Sequence, residues 1–168
     1  MRQIEWKYLV PSMALGAASF FVYVAFFDIL MPGLPEGSYR LAVGQLFAIP
    51  SFILAFGQIA ISAIFLYHIA AANGAKVAGT FSRSVFVASV LTFLFSLTYV
   101  IFPHFGPFYY IVFAAEKAPA NVLPIEIAWT LAALLIGSLA YERIYKLGFR
   151  ESLFYIALVY VFISVAAS

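Results

Sequence analysis

The chain has 168 residues, 65% of them hydrophobic and 10% charged, with a mean hydropathy of +1.05 and a formal net charge of +2. A soluble domain carries about 25% charged residues, so this set is too sparse to cover a water-facing surface, and most of the surface must meet lipid. The absence of cysteine excludes disulfides, thiolate metal sites and cysteine-ligated clusters. No basic stripe is present to neutralise the phosphates of a nucleic acid.

Five apolar segments, residues 8–31, 41–72, 82–102, 124–145 and 152–167, predict an all-α integral membrane protein. They form one polytopic domain over residues 1–168 with five transmembrane helices. Most approach the ~20 residues that cross ~30 Å of hydrocarbon. The scarcity of Asn and Gln, two and three residues, fits a membrane composition and a thermophilic source equally.

The first segment is too long for the apolar core of a secretory signal and lacks a small-x-small cleavage site, so it is expected to be retained. Ser12 with Gly16, and Ala14 with Ala18, are small-xxx-small pairs that let helix backbones approach. Asp28 falls about one turn before this segment leaves the membrane. Its carboxylate either snorkels to the surface or faces the bundle, and an intramembrane acid is a functional candidate by default.

The second segment is longer than one crossing requires. Pro50 and Gly57 lie inside it, which predicts a kink, a tilt or an interfacial first turn. Gln58 is the most central polar side chain, with Ser62 at i+4. An amide in hydrocarbon requires a hydrogen-bond partner, so Gln58 is expected to join two helices. His68 lies near the other end of this segment as an interfacial histidine. In the third segment Ser89, Thr92 and Ser96 share a face. Such hydroxyls bond their own i−4 carbonyls and need not line a pore.

Residues 103–123 are too short and too interrupted by proline and charge to span. Phe108, Tyr109, Tyr110 and Phe113 suit an interfacial segment, or a surface that docks on a neighbouring subunit. His104 precedes them. His104 and His68 are about a membrane thickness apart, so one haem cannot take both as axial ligands, and no cofactor is expected on this chain. Asn121 and Pro124 read as the start of the fourth helix. Glu126 is then a first-turn acid favoured by the helix dipole, or an acid that handles a proton or a ligand below the headgroups. Asp28, Glu36, His104, Glu116 and Glu126 share one side without ligand spacing, so no metal site is expected.

The fourth segment offers Ala128 with Ala132 and Ala133 with Gly137 for close packing. After it, Glu142 and Lys146 stand at i, i+4 as a modest helical pair. Arg143, Lys146 and Arg150 suit anionic lipid headgroups, and "KLG" followed by "FRES" reads as a helix end and a restart. With five crossings, Arg2, Lys7, Lys76, Arg83, Arg143, Lys146 and Arg150 share one side, and only Arg40 and Lys117 take the other. Short basic loops stay in the cytoplasm, which places the N-terminus inside, the C-terminus outside and residues 103–123 on the exterior of a cell membrane.

No phosphate-binding glycine motif, nucleophile elbow or metalloprotease motif appears. The expected function is that of an accessory or structural subunit of a larger membrane complex. A respiratory electron-transfer assembly, such as a quinol-oxidising terminal oxidase with haem or quinone in its other chains, is the host expected. Its partners would be other integral membrane subunits and lipids. Two alternatives stand beside it. One is a small oligomeric transporter or channel, with Asp28, Gln58 and Glu126 on one cavity. The other is a quinone- or lipid-handling membrane enzyme using the outer acids and His104.

Overall fold

In hydrocarbon every backbone N–H and C=O must be satisfied within its own segment, so long apolar runs fold as helices. The computed structural model describes residues 5–30, 47–74, 81–101 and 123–166. It contains α1 (Trp6–Leu30), α2 (Phe47–Ala72), α3 (Phe81–Ile101), α4 (Leu123–Tyr145) and α5 (Phe149–Ala166), with no strand among the described residues. Four stretches are long and apolar enough to cross a membrane: Trp6–Ala25, Phe47–Ala72, Phe81–Thr98 and Ile127–Tyr145. α5 is not among these four. It has 18 residues, about 27 Å at the helical rise, and its first turn carries Arg150 and Glu151.

α3 is the central helix, packed against α1, α2 and α4, while α5 leans on α4 and α2. Pairs at the helix ends show that α1 to α4 alternate in direction. Glu5, just ahead of α1, meets Arg83 in the first turn of α3. Ser84 meets Tyr145 at the end of α4, and Asn73 past α2 meets Tyr155 in α5. At the opposite end Thr98 of α3 meets Trp129 of α4.

Packing is small-in and large-out. Apart from tyrosine, every buried polar residue among the described ones is a serine or Thr92. The outer wall carries Val10, Met13, Phe21, Ile53, Leu131 and Phe154, all exposed. Small residues inside admit close helix contact, because lipid gives apolar side chains no reason to hide. A Cβ added at Gly16 would lie 3.0 Å from Phe56 Cε1 and 3.3 Å from Ile59 Cδ1. One added at Gly137 would run into Leu91 Cδ2 and lie 3.2 Å from Ile156 Cγ2. Ser12 and Gly16, and Ala133 and Gly137, are the buried small pairs. Ala14, Ala128 and Ala132 are exposed and Ala18 is only half-buried, so those two expected contacts do not form within the chain.

The irregularity expected in the second segment is a π turn, Ile53–Gly57, beginning three residues after Pro50. Ser51, Ala55, Ile59 and Ala63 are buried and recur every four residues. On a regular α-helix such a row drifts by about 40° per step. An i→i+5 turn holds more residues and absorbs part of that drift. Residues 41–46 lie outside the described residues. The expected restart after α4 is present, but the Glu142–Lys146 helical pair is not, because α4 ends at Tyr145. Lys146 takes left-handed backbone (φ 55), and its N–H donates to the Glu142 carbonyl at 2.7 Å.

Candidate functional site

The polar side chains inside the bundle fall into two groups. The first is near the middle of α2. Gln58 stands about 16 Å from one end of α2 and about 21 Å from the other. Tyr23 of α1 donates its hydroxyl to Gln58 Oε1 at 2.8 Å. The amide expected to join two helices does so, and Tyr23 is the partner that sequence reasoning missed. Around this pair three hydroxyls turn back onto their own helices. Ser19 donates to Leu15 O at 2.8 Å, Ser89 to Val85 O at 2.7 Å and Ser96 to Phe93 O at 2.8 Å. The buried hydroxyls of Ser51, Ser62 and Thr92 have no protein partner.

The second group closes the end of the bundle that holds Glu5, Asn73, Arg83 and Tyr145. Glu5 sits at the N-cap of α1, its carbonyl accepting from Tyr8 and Leu9 N–H at 3.0 and 3.3 Å. Its side chain does not cap. It accepts two bonds from Arg83, Nε at 2.9 Å and Nη2 at 2.7 Å, a bidentate geometry that suits a planar guanidinium. These bonds hold the Glu5 carboxyl below the usual carboxylate value. The Arg83 guanidinium also lies 5.4 Å from the ring centre of Tyr8, with Lys7 Nζ 5.1 Å from the same ring.

Next to this pair, Ser84 and Tyr145 share a short hydroxyl–hydroxyl bond, and Tyr141 donates to Leu66 O at 3.1 Å. Asn73 ends α2, its Nδ2 donating to Ile69 O at 2.8 Å, while its Oδ1 accepts from Tyr155 at 2.9 Å. Gly74 follows with a left-handed φ of +66, the backbone that glycine adopts without a Cβ penalty at a helix C-terminus. Every lysine and arginine among the described residues, Lys7, Arg83, Arg143, Lys146 and Arg150, lies at this end. Arg83 stands in the first turn of α3 and is paired with Glu5.

The backbones of Asp28 and Glu126 fall in α1 and α4 at the opposite end of the bundle, and their side chains lie outside the described residues. His104, Phe108, Tyr109, Tyr110 and Phe113 also lie outside the described residues. His68 is exposed on α2, its ring against Tyr67 at 5.5 Å. Among the described residues no three His, Asp or Glu side chains gather as a metal-binding group. The Glu5–Arg83 pair was legible in principle. Arg83 was assigned to the N-terminal side, and Glu5 stands at the N-terminus itself, so the two opposite charges are natural partners once α1 and α3 are known to run parallel.

No known family's sequence model matches this chain, nor does any curated protein or solved structure.

Proposed function

We propose that this chain is a structural subunit of a larger membrane assembly, crossing a cell membrane five times with its basic end in the cytoplasm. The observation that carries the reading is the use made of Gln58. The most central polar group of the bundle is engaged by Tyr23 from a neighbouring helix, which fixes one helix against another. Ser19, Ser89 and Ser96 are likewise turned onto their own backbone carbonyls. A wall of exposed Val10, Met13, Phe21, Ile53, Leu131 and Phe154 leaves a broad apolar surface for lipid and for other membrane chains. The fifth crossing would be made by α5, which starts at the basic end of the bundle and leans on α4 and α2.

The test is isolation of the tagged chain in mild detergent from its own cells, followed by mass analysis. Co-isolation with larger haem- or metal-bearing membrane chains supports the reading, and the respiratory assembly expected from the sequence is the first host to look for. A stable homo-oligomer without other chains would refute it. The π turn beside Gln58 favours a second reading, a small transporter, because such turns are frequent at functional sites. Solute flux in liposomes containing the purified chain separates the two.

A further inference from the structure

The corner between α4 and α5 carries three exposed cations within eight residues: Arg143, Lys146 and Arg150. Lys7 is exposed at the same end of the bundle. Five cations there face three carboxylates, Glu5, Glu142 and Glu151. Two of those acids are already engaged, Glu5 with Arg83 and Glu151 with the Gly148 N–H at 3.4 Å. At the opposite end the described helices carry Asp28 and Glu126 and no lysine or arginine. The charge of the described bundle is therefore polarised along its axis.

Lys146 adds a second observation. It occupies the left-handed position just past a helix, where glycine is favoured and a side chain costs about 1 kcal/mol or more. A cation kept at a strained, exposed corner fits a role for its charge. The surroundings specify which anion. Leu139, Phe149 and Phe154 are exposed on the same two helices as these cations, with Phe149 next to Arg150 in the chain, an apolar and aromatic rim of the kind that suits the passage from acyl chain to headgroup. We infer that the α4–α5 corner, through Arg143, Lys146 and Arg150, binds the headgroup of an anionic phospholipid whose acyl chains lie against the exposed apolar side chains beside it. This inference rests on the helices crossing a membrane and not on membership of a larger assembly.

The test uses the full chain, purified and delipidated in a neutral detergent. Phosphatidylglycerol and phosphatidylcholine with identical acyl chains are titrated separately, with retained lipid read by native mass spectrometry and stabilisation by thermal unfolding. Phosphatidylglycerol is expected to bind preferentially and to lose that preference at high salt. Neutralising the corner (Arg143→Gln, Lys146→Gln and Arg150→Gln together) is expected to weaken it by about tenfold or more. Lys146→Gln alone, a milder change in case the triple variant does not fold, is expected to weaken it severalfold. Equal binding of both lipids, or an unchanged preference in a folded variant, overturns the inference. Stabilisation by inorganic phosphate alone, matching that of phosphatidylglycerol, overturns the lipid assignment.

Discussion

Removing the hydrogen bond between Tyr23 and Gln58 tests whether the central polar group of the bundle holds helices together. The bond is 2.8 Å long, between a phenol and a neutral amide, in the middle of α2. Interhelical bonds of this kind contribute about 0.6 kcal/mol on average and up to about 1.7 kcal/mol by double-mutant cycles. The good geometry and central depth place this one above that average, at about 1 kcal/mol of coupling. Single variants do not report it cleanly. Gln58→Leu removes the bond and also the cost of burying an amide, so its net effect can be small or favourable. The cycle of Tyr23→Phe, Gln58→Leu and the double variant isolates the pair. Reversible unfolding in mixed micelles, followed by the fluorescence of Trp6 and Trp129, supplies the free energies. A coupling below about 0.3 kcal/mol would refute a fastening role for Gln58.

Three further outcomes follow from the geometry. The Glu5 carboxyl is held below its unfolded value by Arg83, so the pair stabilises the fold above an unfolded carboxylate pKa of about 4.3 and loses that contribution as pH falls through the folded value. With side chains 17% and 22% exposed, the pair is expected to contribute about 1 kcal/mol, so Glu5→Gln lowers stability at pH 7 and approaches the parent as acid protonates the Glu5 carboxyl; equal stability at pH 7 would remove the pair from the account. Gly137→Leu, whose first carbon already collides with Leu91, is expected to cost about 1–3 kcal/mol, whereas Gly57→Ala, with nothing within 4 Å of its added carbon, stays within about 0.5 kcal/mol in a thermal melt. Thr98→Val removes the acceptor of the Trp129 indole N–H at 3.1 Å and is expected to shift Trp129 emission with little change in the melt.

The helices were legible because composition forces them. Long apolar runs have one way to satisfy their backbone in lipid, and the ends of α1 and α4 fall within two residues of expectation. Which face of each helix turns inward was half legible. Ser12 with Gly16 and Ala14 with Ala18 have the same spacing, and only the first is buried. The distinguishing signal was longer than a pair: Ser12, Gly16, Ser19 and Tyr23 form a continuous row in steps of four and three, all buried, whereas the alanine pair has no such continuation. On α2 the row Ser51, Ala55, Ile59, Ala63 advances only in fours, which a regular helix cannot keep on one face. The π turn lies within that row, while Pro50 and Gly57 announced only an irregularity.

The candidate site was legible in its central member and not in its partners. Gln58 stood out because an amide in hydrocarbon must be satisfied, but eleven tyrosines offered hydroxyls, and choosing Tyr23 requires the packing of α1 on α2. The Glu142–Lys146 pair failed for a local reason. Spacing at i, i+4 supports a pair only while the backbone stays helical, and Lys146 leaves the helix.

The arrangement of the bundle in the membrane underlies the whole account, and the absence of native cysteine makes it directly measurable. Single-cysteine variants Lys146→Cys and Ser168→Cys, treated with a membrane-impermeant maleimide, report the two ends of the last helix. The account predicts that Ser168→Cys is labelled on intact cells and Lys146→Cys only after lysis. Labelling of both positions from the same side, or the reverse order, would contradict it.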